Sequence, residues 1–184
     1  MIIQDDAFLT KIEQEEYKTH LLEAPYWRFQ PKTNGVSPTG EALASNTDTF
    51  QFVCEIFSDE PTYLPTLTVL HKFLMKHKIQ TTQIIRIKSN ILTRNDNSDY
   101  HSIHVDQSYE HKVFLYYVND SDGDTVFFNE SWSPDSPEAP KQLTEQVRVA
   151  PQQGLGVVFD GLQYHCSTSP QNNNLRCVVN IDFI

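Results

Sequence analysis

Cysteine is scarce in this chain, clustered cations are missing, and no long apolar run occurs. Three cysteines, Cys54, Cys166 and Cys177, are too few and too scattered over 184 residues for a disulfide scaffold or a structural zinc site. They read as small buried hydrophobes in a reducing cytoplasm. No apolar stretch reaches the roughly 20 residues that span a bilayer, and no signal-peptide or lipidation pattern is present. The expectation is a soluble, cytoplasmic protein with no membrane partner. Lys and Arg number 14 against 24 Asp and Glu, a formal net charge of −10. Affinity for a phosphate backbone comes from counterion release by clustered cations, so nucleic acid is not expected as a partner. This charge suits a basic peptide or a neutral small metabolite better, although net charge is weak evidence about a local cleft.

What the chain does have is a series of short β-rich segments. Lys112 to Val118 is followed by a turn cluster at 119–124, and Thr125 to Phe128 starts the next strand. Gln146 to Ala150 alternates, Pro151 to Gly154 turns, and Leu155 to Phe159 is a short buried run. Tyr164 to Ser167 and Leu175 to Ile184 supply two more. Strands at such short spacing indicate a β-sandwich or barrel. Gln83 to Thr93 reads as the first barrel strand, with Ile85, Ile87 and Ile91 inward.

Upstream, Asp5 and Asp6 are placed to cap a helix running to Leu22, with Phe8, Leu9, Ile12, Tyr17 and Leu21 as its apolar stripe. Pro61 opens a second helix to Lys78, with Leu64, Leu67, Leu70, Leu74 and Met75 at helical spacing. Between them, 30–47 is a polar loop. The whole chain is expected to be one domain, with 1–80 a support region and 81–184 the β core. Trp132, Pro134, Pro137 and Pro140 lie in a long inter-strand loop over 129–145.

His104 and Asp106 are separated by one residue, the spacing at which strand side chains share a face. His-x-Asp alone is a short pattern that chance supplies. A second histidine from a distant strand, His165, would complete two imidazoles and one carboxylate on one side of an ion. Open positions opposite such a triad suit non-haem Fe(II). His101 sits three before His104, off the shared face, and reads as solvated. His111 falls in a polar turn, and His20, His71 and His77 fall on the helices.

Together these residues resemble the 2-oxoglutarate and Fe(II)-dependent dioxygenases, in particular the prolyl-4-hydroxylase-like group. The resemblance covers about the C-terminal half. It rests on His104-Val105-Asp106, Tyr116 to Asn119, the Gly123 to Thr125 turn, Pro151 to Gly154 leading into Val157 to Gly161, His165, and Arg176 beyond it. It implies a mainly β fold, a double-stranded β-helix or jelly roll, with the N-terminal helices on the outside of one sheet. It implies His104, Asp106 and His165 as ligands of Fe(II), Arg176 as the partner of the distal carboxylate of 2-oxoglutarate, and Tyr117 as a second holder of that carboxylate. Tyr116 faces the other way, so a one-residue register shift would exchange the two tyrosines. Val178 stands where many relatives carry a cosubstrate-binding serine, which moves that task to Tyr117. Nucleic-acid demethylating relatives use a second arginine near the first, and none follows Arg176.

The implied activity is hydroxylation of a C–H bond in a peptidyl or small-molecule substrate, with succinate and carbon dioxide as co-products. Ascorbate is compatible with such an enzyme, and no side chain is needed as general base. The alternatives are a non-catalytic binding protein of the same shape and a zinc hydrolase, which leaves Arg176 and Tyr117 without a role. Substrate identity and oligomeric state stay open.

Overall fold

A computed structural model describes residues 1–33, 49–97, 99–136, 140 and 142–184. Most of the polar loop over 30–47, and Pro137 of the 129–145 loop, lie outside the described residues. The elements run β1 (Ile3–Asp5), α1 (Lys11–Leu22), β2 (Arg28–Gln30), β3 (Gln51–Glu55), α2 (Tyr63–His77), β4 (Ile84–Thr93), β5 (Lys112–Tyr117), β6 (Thr125–Ser131), β7 (Glu145–Val149), β8 (Gly156–Asp160), β9 (Gln163–Ser167) and β10 (Leu175–Phe183). Seven strands form a major sheet in the order β1-β8-β5-β10-β4-β3-β2, and three form a minor sheet, β7-β6-β9. Every pairing is antiparallel. This is the mainly β jelly roll expected from the sequence. Its N-terminal region does more than buttress: β1 closes one edge of the major sheet, while β3 and β2 extend the other.

Strand alternation sorts the side chains into layers. On the outer face of the major sheet, Phe114, Tyr116, Val179, Ile181 and Phe183 meet Leu21, Leu70 and Phe73 of the two helices. Between the sheets, Val113, Leu115, Tyr117, Phe127, Phe159 and Val178 make a second core. A third cluster joins Ile103 and Val105 to Val126, Phe128, Tyr164 and Cys166 of the minor sheet. All three cysteines are free and buried. Among the described residues no helix is long and apolar enough to cross a membrane.

Both helices differ in detail from expectation. Asp5 belongs to β1 and caps nothing; α1 starts at Thr10, whose hydroxyl accepts from the Glu13 amide while the Glu13 carboxylate accepts from the Thr10 amide. This reciprocal capping box lay hidden in Thr-x-x-Glu, whereas Asp5 is spent on Ala7, Lys76 and His77. Ile12 of the expected stripe is exposed, and Gln14 is buried in its stead. Its amide fills the space a Cβ would need at Gly154, whose φ of +88° favours glycine in any case. In α2 the buried face is Thr66, Val69, Leu70, Phe73 and Leu74, leaving Leu64 and Met75 in solvent. Replacing Thr10 with alanine should cost about 1 kcal/mol, read as a fall in melting temperature of about 2–4 °C.

β4 overturns a further expectation. Ile84, Ile87 and Ile91 face the helices, with Ile85 the extra residue of a bulge between Ile84 and Arg86, so the barrel-facing side carries Arg86, Lys88, Asn90 and Leu92. With the helices packed outside, the apolar face of this strand belongs to the outer layer. The polar face is free to line a cleft.

Candidate metal centre

The cleft opens at one end of the space between the sheets. His165 is delivered by β9 and is almost fully buried. His104 pairs with it through two backbone hydrogen bonds of 3.0 Å, forming an isolated bridge that adds one rung to the edge of the minor sheet. The strand expected around His104 and Asp106 is therefore a single rung, and Asp106 lies in a bend just past it. Ile103 and Val105, anchored in the third core cluster, flank His104 and fix it in place. The result brings His104, Asp106 and His165 together, with one ligand atom from each lying within 4.8 Å of the others.

Whether the triad suits a metal is decided by its hydrogen bonds. The Nδ1 of His104 lies 2.9 Å from the Ser102 carbonyl, and that of His165 lies 3.0 Å from the Gln163 carbonyl. Nδ1 must donate to both, which makes Nε2 the coordinating nitrogen of each neutral ring. Nε2 of His165 then faces the Asp106 carboxylate at 3.4 Å, lone pair toward negative charge. A proton or a cation must sit between them. Burial, with His165 adding to it, pushes His104 down to about 4, so this ring is neutral and ready to coordinate. For His165 burial acts in the same downward sense, but the hydrogen bond and charge of Asp106 outweigh it and raise the ring. Burial works to raise Asp106, yet His165 and Arg86 hold its carboxyl well below the usual carboxylate range. Two neutral imidazole nitrogens and a carboxylate on one side of a point fit a divalent transition metal.

Arg86 contacts Asp106 closely and reaches Asp182 at 3.0 Å, while the Asn180 amide lies 3.4 Å from the other Asp106 oxygen. These partners orient the carboxylate and came unannounced by the sequence reading. The alternation of Arg86, Lys88 and Asn90 with isoleucines was the signal for the first of them.

Farther along β10, Arg176 is 2% exposed. Its Nε donates to the Gly123 carbonyl and its Nη2 to the Thr125 hydroxyl, both at 2.7 Å. Gly123 permits this approach, since a Cβ there would sit 3.0 Å from Arg176 Cδ and closer still to two backbone atoms. Tyr117 donates to the same Thr125 hydroxyl at 2.7 Å, and the guanidinium carbon lies 5.8 Å from its ring centre. Tyr116 is on the opposite face, in the helix-side core. Val178 lies two residues from Arg176 on the cleft side. No carboxylate among the described residues lies within ion-pairing distance of Arg176, and burial presses its affinity for a proton down. A buried guanidinium with only neutral acceptors is costly unless an anion joins it.

The remaining histidines are accounted for. His101 is buried rather than solvated, held by the hydroxyls of Ser167 at 2.9 Å and Ser169 at 3.0 Å. It ties the segment before His104 to the end of β9. His111 is buried against Gly161. Trp132, from the segment expected as a long inter-strand loop, packs into the minor-sheet cluster.

The jelly-roll fold is shared with solved structures of 2-oxoglutarate and Fe(II)-dependent oxygenases. The chain is similar to a 2OG-Fe(II) oxygenase family oxidoreductase from Burkholderia pseudomallei, with a TM-score of 0.67, 12% identity, and coverage of 99% of this chain and 84% of that one. It is similar to the epimerase SnoN of nogalamycin biosynthesis, solved with Fe3+, alpha ketoglutarate and nogalamycin RO, with a TM-score of 0.69, 12% identity, and coverage of 100% and 78%. A Pseudomonas putida prolyl-4-hydroxylase matches with a TM-score of 0.59, 14% identity, and coverage of 99% and 91%. No protein-family model matches the sequence, and no curated protein matches it. At these identities the likeness is one of fold.

Proposed function

We propose that this protein is an Fe(II)- and 2-oxoglutarate-dependent oxygenase that hydroxylates a C–H bond of a peptidyl or small-molecule substrate. The observation that carries the reading is the joint presence, in one cleft, of the His104, Asp106 and His165 triad and of buried Arg176 without a carboxylate partner. In this reading His104, Asp106 and His165 would hold Fe(II). Arg176 receives the distal carboxylate of 2-oxoglutarate as a planar fork, with Thr125 and Tyr117 shaping the pocket around it. Phe159, whose ring centre lies 4.9 Å from that of His165, and Phe127 keep water from the rear of the site. Bound together, Fe(II) and 2-oxoglutarate would supply the oxidising power, with succinate and carbon dioxide as co-products. No side chain is assigned a proton-transfer role.

The test is direct. Purified protein given Fe(II), 2-oxoglutarate and oxygen should release succinate slowly even without primary substrate, and His104→Ala should abolish that release. If wild type forms no succinate and 2-oxoglutarate binding is indifferent to metal, the oxygenase reading fails and the binding-module reading takes its place. Hydrolytic turnover with Zn(II) would favour the hydrolase.

A further inference from the structure

Lys88 is a second cation in this cleft that the reading so far leaves without a task. It projects from β4 on the cleft side, two residues from Asn90 and opposite Asn180 in the β4–β10 register. No side chain or carbonyl among the described residues accepts a hydrogen bond from its ammonium, and none forms an ion pair with it. Glu55, its register partner on β3, is taken by Arg28 at 3.1 Å. The Asn90 amide is likewise without a partner among the described residues. Side chains two apart on a strand project roughly 7 Å apart in parallel, so long Lys88 and short Asn90 can converge on one small group.

The charges of the cleft say what that group must be. Arg86 lies between Asp106 and Asp182 and is taken up by them. In the proposed function the distal carboxylate of the cosubstrate meets Arg176. The cation left without an anion is Lys88.

We infer that Lys88, with Asn90 beside it, binds the carboxylate of the primary substrate, and that this substrate is a small monoanionic carboxylic acid. The inference rests on the oxygenase reading and names its substrate class. A phosphate ester carries nearly two charges at neutral pH and would overfill the deficit. Burial, and then Arg86, push the Lys88 ammonium below the usual lysine range, and an incoming carboxylate relieves the second of these. The acidity of the whole chain, which pointed to basic or neutral substrates, is a property of its outer surface.

The experiment compares an acid with its own amide. Protein loaded with Zn(II), which supports no oxidation, and with 2-oxoglutarate is titrated with valerate, valeramide and inorganic phosphate. Binding is followed by calorimetry and by the 13C resonance of Lys88 in lysine-labelled protein, assigned by its loss in K88M. Valerate should bind at least about tenfold tighter than valeramide, as one charge-assisted hydrogen bond implies, and K88M should erase the difference. Equal binding of acid and amide, an undiminished preference in K88M, or tighter binding of phosphate than valerate overturns the proposal. Titration with 2-oxoglutarate alone separates the sources of the anion. A loss in K88M as large as that in R176M would assign Lys88 to the cosubstrate and overturn it as well. If wild type takes up no 2-oxoglutarate, it is the oxygenase reading that has failed, and the acid and amide contrast on the metal-free chain still decides the role of Lys88.

Discussion

Arg176→Met is expected to weaken 2-oxoglutarate binding by about a hundredfold or more while leaving the fold nearly as stable as before. The two effects have different origins. Binding is lost because a guanidinium gives a carboxylate two parallel charge-assisted hydrogen bonds, each worth about 1.5–3 kcal/mol. Stability is spared because no carboxylate among the described residues pairs with the arginine, which donates to the Gly123 carbonyl and the Thr125 hydroxyl. Losing two neutral acceptors costs about 1 kcal/mol each, and removing an uncompensated buried cation returns a comparable amount. Thr125 keeps the Tyr117 hydroxyl as its partner. Methionine fills similar volume without overpacking. Anaerobic titration with 2-oxoglutarate and a thermal unfolding curve on the same preparation check both halves. A melting temperature lowered by more than about 10 °C with cosubstrate affinity intact would make Arg176 a structural residue instead.

The sequence announced this part of the molecule well and its surroundings poorly, for a physical reason. His165 and Arg176 sit on β9 and β10, where period-2 alternation makes faces predictable, whereas His104 and Asp106 lie on a single rung and a bend. Tyr117 came from the resemblance, and the structure puts it between the sheets with Tyr116 on the other face. β4 was misread because its isoleucines were assumed to point into the barrel, as in a sheet with one buried face. Here the major sheet is covered on its outer face by α1 and α2, so apolar residues serve two layers and polar ones are left for the cleft. Alternation reports that two faces exist; which of them is the cleft depends on what packs outside, a tertiary fact. Thr10 and His101 failed differently. The cap was masked by two aspartates closer to the chain start, and His101 is buried only because Ser167 and Ser169 arrive from far along the chain.

That dependence on distant elements also sets what the site does to the rest of the fold. His104 comes from a single rung outside the named strands, His165 from the minor sheet, and Asp106 from a bend held by Arg86 of the major sheet. A metal bound by all three would tie the 104–106 segment to β9. Without one, the attachment of residues 101–106 rests on the bridge to His165, on His101 and on the apolar anchors Ile103 and Val105.

Metal binding is therefore expected to stabilise the protein strongly, and to do so more at higher pH. A ligand bound by the native state alone, at about a thousand times its dissociation constant, contributes about 4 kcal/mol. For a chain of this length that raises the melting temperature by roughly 10 °C. The sign with pH follows from the two histidines. His104, held down to about 4, has no proton to lose near neutrality and contributes no slope there. His165 is raised by Asp106 against the effect of burial, and its proton must leave before Nε2 can coordinate. In the metal-free protein that raised value is itself a stabilising contribution, full below the ordinary histidine value and lost as pH climbs through the folded one. Metal-free protein thus loses the His165 contribution over the interval in which the metal-bound form gains affinity. The gap between the two melting curves should widen as pH rises from the ordinary histidine value through the raised value of His165 and then level off. Asp106→Ala should remove both the gap and its pH dependence. Thermal scans with and without Zn(II), in buffers that do not chelate, measure it. A gap that is constant across this range, or one that survives in Asp106→Ala, would place the metal elsewhere.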